Sequence, residues 1–282
     1  MMQTTRKISI TPRVSIGGEA ETFTLIAGPC AIEDETTVMT AAEGLKRVCE
    51  ELEIPLVFKG SFDKANRSSI FSPRGVGLEE GLRILEKVKA ELDLPVVTDV
   101  HETTQCPAVG QVVDLIQIPA FLARQTDLLV AAAKTGKAVN VKKGQFMAPD
   151  DMRNVAAKLT EAGNEKILFC ERGTSFGYHT LVVDFTGLIE MRKIGFPIVF
   201  DATHSVQKPG GNGTSSGGNR EYAAPLMNAA LAVGVDAIFA EVHPDPSRAI
   251  SDAENQIPLA GIREILCRAK EFDRVARSFG VR

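Results

Sequence analysis

Eight short apolar runs rich in Val, Ile and Phe are spaced along the chain, each followed by a longer stretch whose apolar residues recur at three- and four-residue steps. A strand covered on both faces reads as near-continuous apolar sequence, and a helix behind it supplies the cover. The strands expected on this reading are Phe23 to Ala27, Leu56 to Lys59, Val96 to Asp99, Leu115 to Gln117, Ala138 to Lys142, Ile167 to Cys170, Ile198 to Asp201 and Ala237 to Glu241. Pro55, Pro95, Gly136, Pro197 and Gly234 punctuate the junctions where a helix stops and a strand begins. Helices are expected over Glu35 to Leu52, Leu78 to Leu92, Leu128 to Lys134, Pro149 to Ala162 and Ala223 to Val233, with another opening at Cys106 and a last one around Cys267. Eight strand-helix units over residues 23–282 fit an α/β fold of one domain, a closed (β/α)8 or TIM barrel, preceded by an N-terminal extension over 1–22. An open doubly wound sheet ranks second, since neither G-x-G-x-x-G after a strand nor G-x-x-x-x-G-K-S/T occurs.

Composition narrows the function classes. With 282 residues, 44% hydrophobic and 24% charged, the chain has material for a large core, which excludes a disordered or collagen-like chain. A net charge of −4, no Trp and 2 Tyr argue against a nucleic-acid surface. No apolar run is long enough for a membrane span, and Arg6, Lys7, Arg13 and Glu19 interrupt the N-terminus where a secretory signal would need a hydrophobic stretch. The 5 cysteines lack any C-x-x-C pair, which points to reduced thiols and a cytoplasmic protein; Cys49, Cys106, Cys170 and Cys267 read as structural. The Gly-rich stretch Lys208 to Arg220 reads as a mobile loop, disordered without ligand.

In such a barrel the chemistry lies at the carboxyl ends of the strands. Lys59, Lys64, Arg67, Lys142 and Arg172 stand there on three units, and cations converging at one mouth favour a highly charged anion such as a phosphorylated substrate. Taken singly, a rim lysine is as readily a solvated charge paired with a local acid. Cys30, His204, Glu241 and Asp252 follow the first, seventh and eighth strands, which adjoin in a closed ring. A sulfur, nitrogen and two-oxygen set suits Fe(II), Zn(II), Mn(II) or Co(II), whereas Mg or Ca prefer oxygen throughout. A lone Cys at a strand end is more often a small buried hydrophobe. His243 is a rival ligand, and His179 either touches substrate or finishes a loop.

The segments Ile26-Ala-Gly-Pro-Cys-Ala-Ile32, Phe58-Lys-Gly-Ser-Phe-Asp-Lys-Ala-Asn-Arg-Ser-Ser69, Thr98-Asp-Val-His101, Gln117-Ile-Pro-Ala120, Val139-Asn-Val-Lys-Lys-Gly-Gln-Phe146, Glu171-Arg-Gly-Thr-Ser-Phe-Gly-Tyr178 and Phe200-Asp-Ala-Thr-His-Ser-Val-Gln207, with Pro209-Gly-Gly211, Ser216-Gly-Gly218 and Ser251-Asp-Ala253, carry a resemblance that extends over about Phe23 to Ala276. The chain resembles the 3-deoxy-D-manno-octulosonate-8-phosphate synthases, also called 2-dehydro-3-deoxyphosphooctonate aldolases. A sister family joins phosphoenolpyruvate to erythrose 4-phosphate, but Lys64-Ala-Asn-Arg-Ser-Ser69 looks like the octulosonate enzymes.

The resemblance implies condensation of phosphoenolpyruvate with D-arabinose 5-phosphate, releasing phosphate, in lipopolysaccharide synthesis, by a cytoplasmic homotetramer. It implies that Lys59, Lys64, Lys142 and Arg172 clamp phosphoenolpyruvate, with Gln117 and Gln145 lining that pocket, and that Ser61, Asn66, Arg67 and Ser68 belong to the substrate site, the last three on the arabinose-phosphate side. Lys64, Asp99, Lys142 and His204 are the catalytic candidates. Cys30, where metal-independent members carry Asn, places the chain in the metal-requiring class, with Cys30, His204, Glu241 and Asp252 as ligands of a divalent transition ion; Ser251-Asp252-Ala253 agrees. The other readings to be weighed are the sister synthase and a non-catalytic phosphosugar-binding barrel.

Overall fold

In the computed structural model, which describes residues 4–210 and 217–281, the apolar runs form one ring of parallel strands. They are β1 (Thr24–Gly28), β2 (Leu56–Lys59), β3 (Val96–Asp99), β4 (Leu115–Ile118), β5 (Ala138–Lys142), β6 (Ile167–Glu171), β7 (Ile198–Asp201) and β8 (Ala237–His243). Neighbours in sequence are neighbours in the ring, and β8 closes it by pairing in parallel with β1, Ala237 beside Thr24 through Glu241 beside Gly28. The closed (β/α)8 barrel expected above is the fold; the open sheet is excluded by that last pairing.

Eight helices wrap the ring: α1 (Glu35–Glu51), α2 (Leu78–Leu92), α3 (Cys106–Val112), α4 (Thr126–Lys134), α5 (Met152–Glu161), α6 (Phe185–Arg192), α7 (Ala223–Val233) and α8 (Ile262–Ser278). Local chemistry sets their ends. Asp34 caps α1, its carboxylate accepting from the Thr37 N–H at 2.7 Å, and Gly234 stops α7 in the left-handed conformation at φ 100°.

The strands' alternation divides the core in two. Outward residues such as Leu25, Ala27, Phe58 and Phe200 pack under the helices, while Ile26, Val57, Val97, Leu115, Leu168, Val199 and Phe239 fill the barrel interior. One step of two residues further along, the inward positions turn polar: Val57 is followed by Lys59, Val97 by Asp99, Leu115 by Gln117, Val199 by Asp201 and Phe239 by Glu241. The ring therefore carries its charged side chains inward at one end and seals the other with hydrocarbon.

That sealed end is finished by the N-terminus. Ile8–Ser9 and Ser15–Ile16 form an antiparallel hairpin whose Ile8 and Ile16 pack on the interior layer. Thr5 Oγ1 donates to Asp236 Oδ1 at 3.1 Å, tying the hairpin to the start of β8. At the open end, the expected mobile loop lies partly outside the described residues, since 211–216 are not described. Its flanks, Gln207–Lys208 and Gly217–Gly218, pair as short antiparallel strands.

Candidate active site

Two adjoining cavities open at the carboxyl ends of the strands. The deeper one, about 320 Å3, is lined by Lys59, Lys64, Asp99, Gln117, Lys142, Gln145, Arg172, His204 and Glu241, with His101 and Phe121 at its side. The shallower one, about 180 Å3, is lined by Arg67, Ser68, Ser251 and Asp252, and shares Lys64, Asn66, Gln145, Arg172 and His204 with the first. The expected substrate residues are thus brought together, with one departure. Ser61 lines neither cavity; it is buried behind Lys64, whose Nζ donates to its Oγ at 3.3 Å.

The cations are not bare. Lys59 and Glu241, each about 1% exposed, pair at 3.4 Å, and Lys59 Nζ also donates to the carbonyl of Cys30 at 2.7 Å. Gly28 lets the backbones of the first two strands approach here, since an added Cβ would lie 1.9 Å from the Lys59 carbonyl oxygen. Lys142 donates to Asp201, and its ammonium sits 3.9 Å from the centre of the Phe239 ring. Buried acids so balance much of the positive charge that a ligand anion alone was expected to balance. Hydrogen-bonding capacity nevertheless remains inside the site: Arg172 Nη1, Gln145 Oε1, Asp99 Oδ1 and Glu241 Oε2 are buried without a partner, a costly state that a bound polar ligand relieves.

Charge state follows from these contacts. Burial by itself would raise the Asp99 carboxyl, but the hydrogen bond with His101 Nε2 at 3.0 Å and the charges of Lys64 and Lys59 hold it well below the usual range. Burial likewise opposes ionisation of Glu241, and the positive groups His204, Lys59, Lys64 and Lys142 prevail, bringing it to about 2. Asp201 is held low in the same way by His204 and Lys142. Burial works against the Lys64 ammonium, yet the negative groups around it raise its pKa well above the ordinary value. These acids are anions and Lys64 is a cation at neutral pH.

Cys30 Sγ, a Glu241 oxygen and an Asp252 oxygen lie within 4.8 Å of one another, Cys30 Sγ to Asp252 Oδ2 being 3.3 Å. His204 stands beside this cluster, Nε2 being 3.6 Å from Glu241 Oε1 and 3.9 Å from Asp252 Oδ2, while Nδ1 meets Asp201 at 2.8 Å. Burial and the two carboxylates push the Cys30 thiol well above its ordinary 9.0. A mixed donor set with one buried, unpartnered carboxylate oxygen fits a divalent transition ion. The rival His243 points elsewhere, accepting from the Asp245 N–H at Nδ1 and facing Glu33 at 3.6 Å. His179 is exposed, lines neither cavity, and donates through Nδ1 to the Pro209 carbonyl. Cys49, Cys106 and Cys170 are buried, Cys267 is half-buried, and all five thiols are free.

A family model described as the DAHP synthetase I family matches residues 5–277, beginning within the segment expected to lie outside the shared core. The chain belongs to the DAHP synthetase I family. Within this family it is 56% identical to a protein of Fusobacterium nucleatum over 260 residues, 92% of this chain and 94% of the relative. It is 56% identical to one of Trichlorobacter lovleyi over 95% of this chain and the whole relative, and 53% identical to one of Geobacter metallireducens over 97% and the whole relative. All three are named 2-dehydro-3-deoxyphosphooctonate aldolase.

Four residues outside the expected site complete it. Asp201 orients both Lys142 and His204, accepting also from the His204 N–H at 2.9 Å. His101 braces Asp99, Phe121 forms a wall common to both cavities, and Gln207 bridges Arg172 and Asp252. Asp201 and His101 were signalled by their places at strand ends; Phe121 and Gln207 carry no spacing that sets them apart.

Proposed function

We propose that the chain condenses phosphoenolpyruvate with D-arabinose 5-phosphate and water, yielding 3-deoxy-D-manno-octulosonate 8-phosphate and inorganic phosphate. The observation that carries this reading is the pair of adjoining cavities, one with Lys59 and Lys142, the other with Arg67, and Lys64 and Arg172 between them, opening beside one sulfur, nitrogen and oxygen cluster. The names of the relatives support it.

Phosphoenolpyruvate fits the deeper cavity, where Lys59, Lys142 and Arg172 meet its carboxylate and phosphate and Gln117 and Gln145 supply amides. The arabinose phosphate group fits the shallower one against Asn66, Arg67 and Ser68; Arg67 is held there by Ser251 Oγ at 2.7 Å and the Ile250 carbonyl at 3.1 Å. Held so, C3 of the enol phosphate faces the aldehyde carbon, and such orientation is worth up to ~10 kcal/mol. The C3–aldehyde carbon bond forms, water adds at C2, and cleavage of the C2–O bond releases phosphate. Lys64, an ammonium on the wall shared by both cavities, is placed to donate a hydrogen bond to the aldehyde oxygen as negative charge develops there, and Asp99, held ionised, to accept from water and orient it. Cys30, His204, Glu241 and Asp252 would hold the divalent ion, which supplies Lewis-acid polarisation of an oxygen or a more acidic water.

The same reading places the enzyme in the cytoplasm of its cell as a homotetramer. Free cysteines and the lack, among the described residues, of any helix long and apolar enough to cross a membrane support the first. Ile70, Phe71, Phe146, Phe176 and Tyr178, exposed on loops around the mouth, support association of subunits there.

Phosphate release tests the reading. Turnover of phosphoenolpyruvate with arabinose 5-phosphate, abolished by a chelator and restored by Mn2+, is expected; preference for erythrose 4-phosphate would assign the sister reaction, and binding without release would leave only a phosphosugar-binding barrel.

A further inference from the structure

Gln207 lies between two charged residues. Its Oε1 accepts from the Arg172 guanidinium at 3.0 Å, and its Nε2 donates to Asp252 Oδ1 at 2.9 Å. A carboxamide has one accepting end and one donating end, so these two contacts use it in one of its two flips. The reverse flip would set NH2 against the guanidinium and a carbonyl against the carboxylate, losing both bonds.

Each charged partner presents its other side to a site. Asp252 Oδ2 faces Cys30 Sγ at 3.3 Å, and Arg172 Nη1 is buried without a partner on a residue that lines both cavities. Asp252 is also a non-glycine residue at φ 50°, a conformation the surroundings must hold in place. The backbone of Gln207 is anchored by its pairing with Gly218.

We infer that Gln207 is a positioning residue that ties the cation cluster to the anion cavity: one amide sets the Asp252 carboxylate for the metal and the Arg172 guanidinium for the enol phosphate. This rests on the proposed synthase reading. Ligand-orienting hydrogen bonds are typically worth 10- to 100-fold in metal affinity, and one lost hydrogen bond of about 1 kcal/mol is about fivefold in binding.

The test uses the full chain stripped of metal and titrated with Mn2+, alongside steady-state kinetics of the reloaded enzyme. Gln207→Met, similar in length but without either polar end, should weaken Mn2+ binding about tenfold and raise the KM for phosphoenolpyruvate about fivefold. Because Gln207 and Asp252 also line the shallower cavity, the KM for arabinose 5-phosphate should rise too, but less than that for phosphoenolpyruvate, while the melting temperature stays at the wild-type value. Gln207→Glu keeps an acceptor for Arg172 and should return the phosphoenolpyruvate KM towards wild type. Wild-type Mn2+ affinity in Gln207→Met overturns the inference while leaving the synthase reading intact, as does an equal rise in both substrate KM values. A wild-type chain that binds no Mn2+ overturns both together.

Discussion

Lys59 and Cys30 are joined through the main chain: the buried ammonium donates to the Cys30 carbonyl at 2.7 Å, so a cation lining the deeper cavity also steadies the backbone that presents the thiol. Lys59→Met should therefore damage metal binding as well as substrate binding. It also leaves Glu241 short of a partner in a buried place, a loss of about 3–5 kcal/mol. Denaturant midpoints should show Glu241→Gln recovering part of that stability in the double variant while turnover stays lost. Independent, additive losses from the two changes would refute the pairing.

Cys30→Ala should remove bound metal, measured as ions per subunit, and most of the activity with it. Cys30→Asn copies the residue of the metal-independent relatives and is expected to regain a fraction of turnover that a chelator no longer affects. Full chelator-sensitive activity in Cys30→Ala would remove the thiol from the ligand set.

Arg172 lines both cavities and Arg67 only the shallower one, and truncating each should separate the substrates. Arg172→Ala is expected to raise the KM for phosphoenolpyruvate at least tenfold more than that for arabinose 5-phosphate, and Arg67→Ala to do the reverse, since a charge-assisted bond is worth about 1.5–3 kcal/mol. Equal losses for both substrates in either variant would contradict the assignment.

The cap of α1 gives a pH prediction. The Asp34 carboxyl is held below its ordinary 3.8, first by the backbone N–H of Thr37. A carboxyl lowered on folding contributes its stability above the unfolded value and loses it as pH falls through the folded one. Asp34→Ala should cost about 1 kcal/mol at neutral pH, and its deficit relative to wild type should shrink in melts below about pH 4. A deficit unchanged down to pH 2 would show that the carboxylate charge is not involved.

Deleting residues 1–18 would uncover the interior layer at the sealed end. With Ile8 and Ile16 lost from that contact, the expected cost is about 3–6 kcal/mol, with substrate KM values unchanged because both cavities lie at the other end. A shift in KM would connect the hairpin to the chemistry.

Much of this was readable beforehand, for reasons that differ by element. Strands buried on both faces leave a continuous apolar signature, and β2, β3, β5 and β7 fall where expected. By contrast α6 gave no stripe to find: its buried positions are Gly187, Leu188, Met191 and Arg192, the last paired with Asp236. Strand ends disclosed Lys59, Asp99, Gln117 and Glu241 because inward positions recur every two residues. The same rule separates Lys142, which turns inward, from Lys143, which turns out to Glu171, Thr174 and the Met147 carbonyl. Gln207 escaped because its role depends on two partners distant in sequence, and no local pattern encodes that.

The meeting of the last strand with the first has a developmental meaning for the molecule. Residue 30 emerges early in synthesis and residue 252 near its close, and they become neighbours only after β8 docks against β1. A nascent chain lacking its final segment thus possesses Lys59, Lys64 and Lys142 but not the carboxylate that meets the residue 30 thiol, so an ion held between the two would be taken up only by the finished protein.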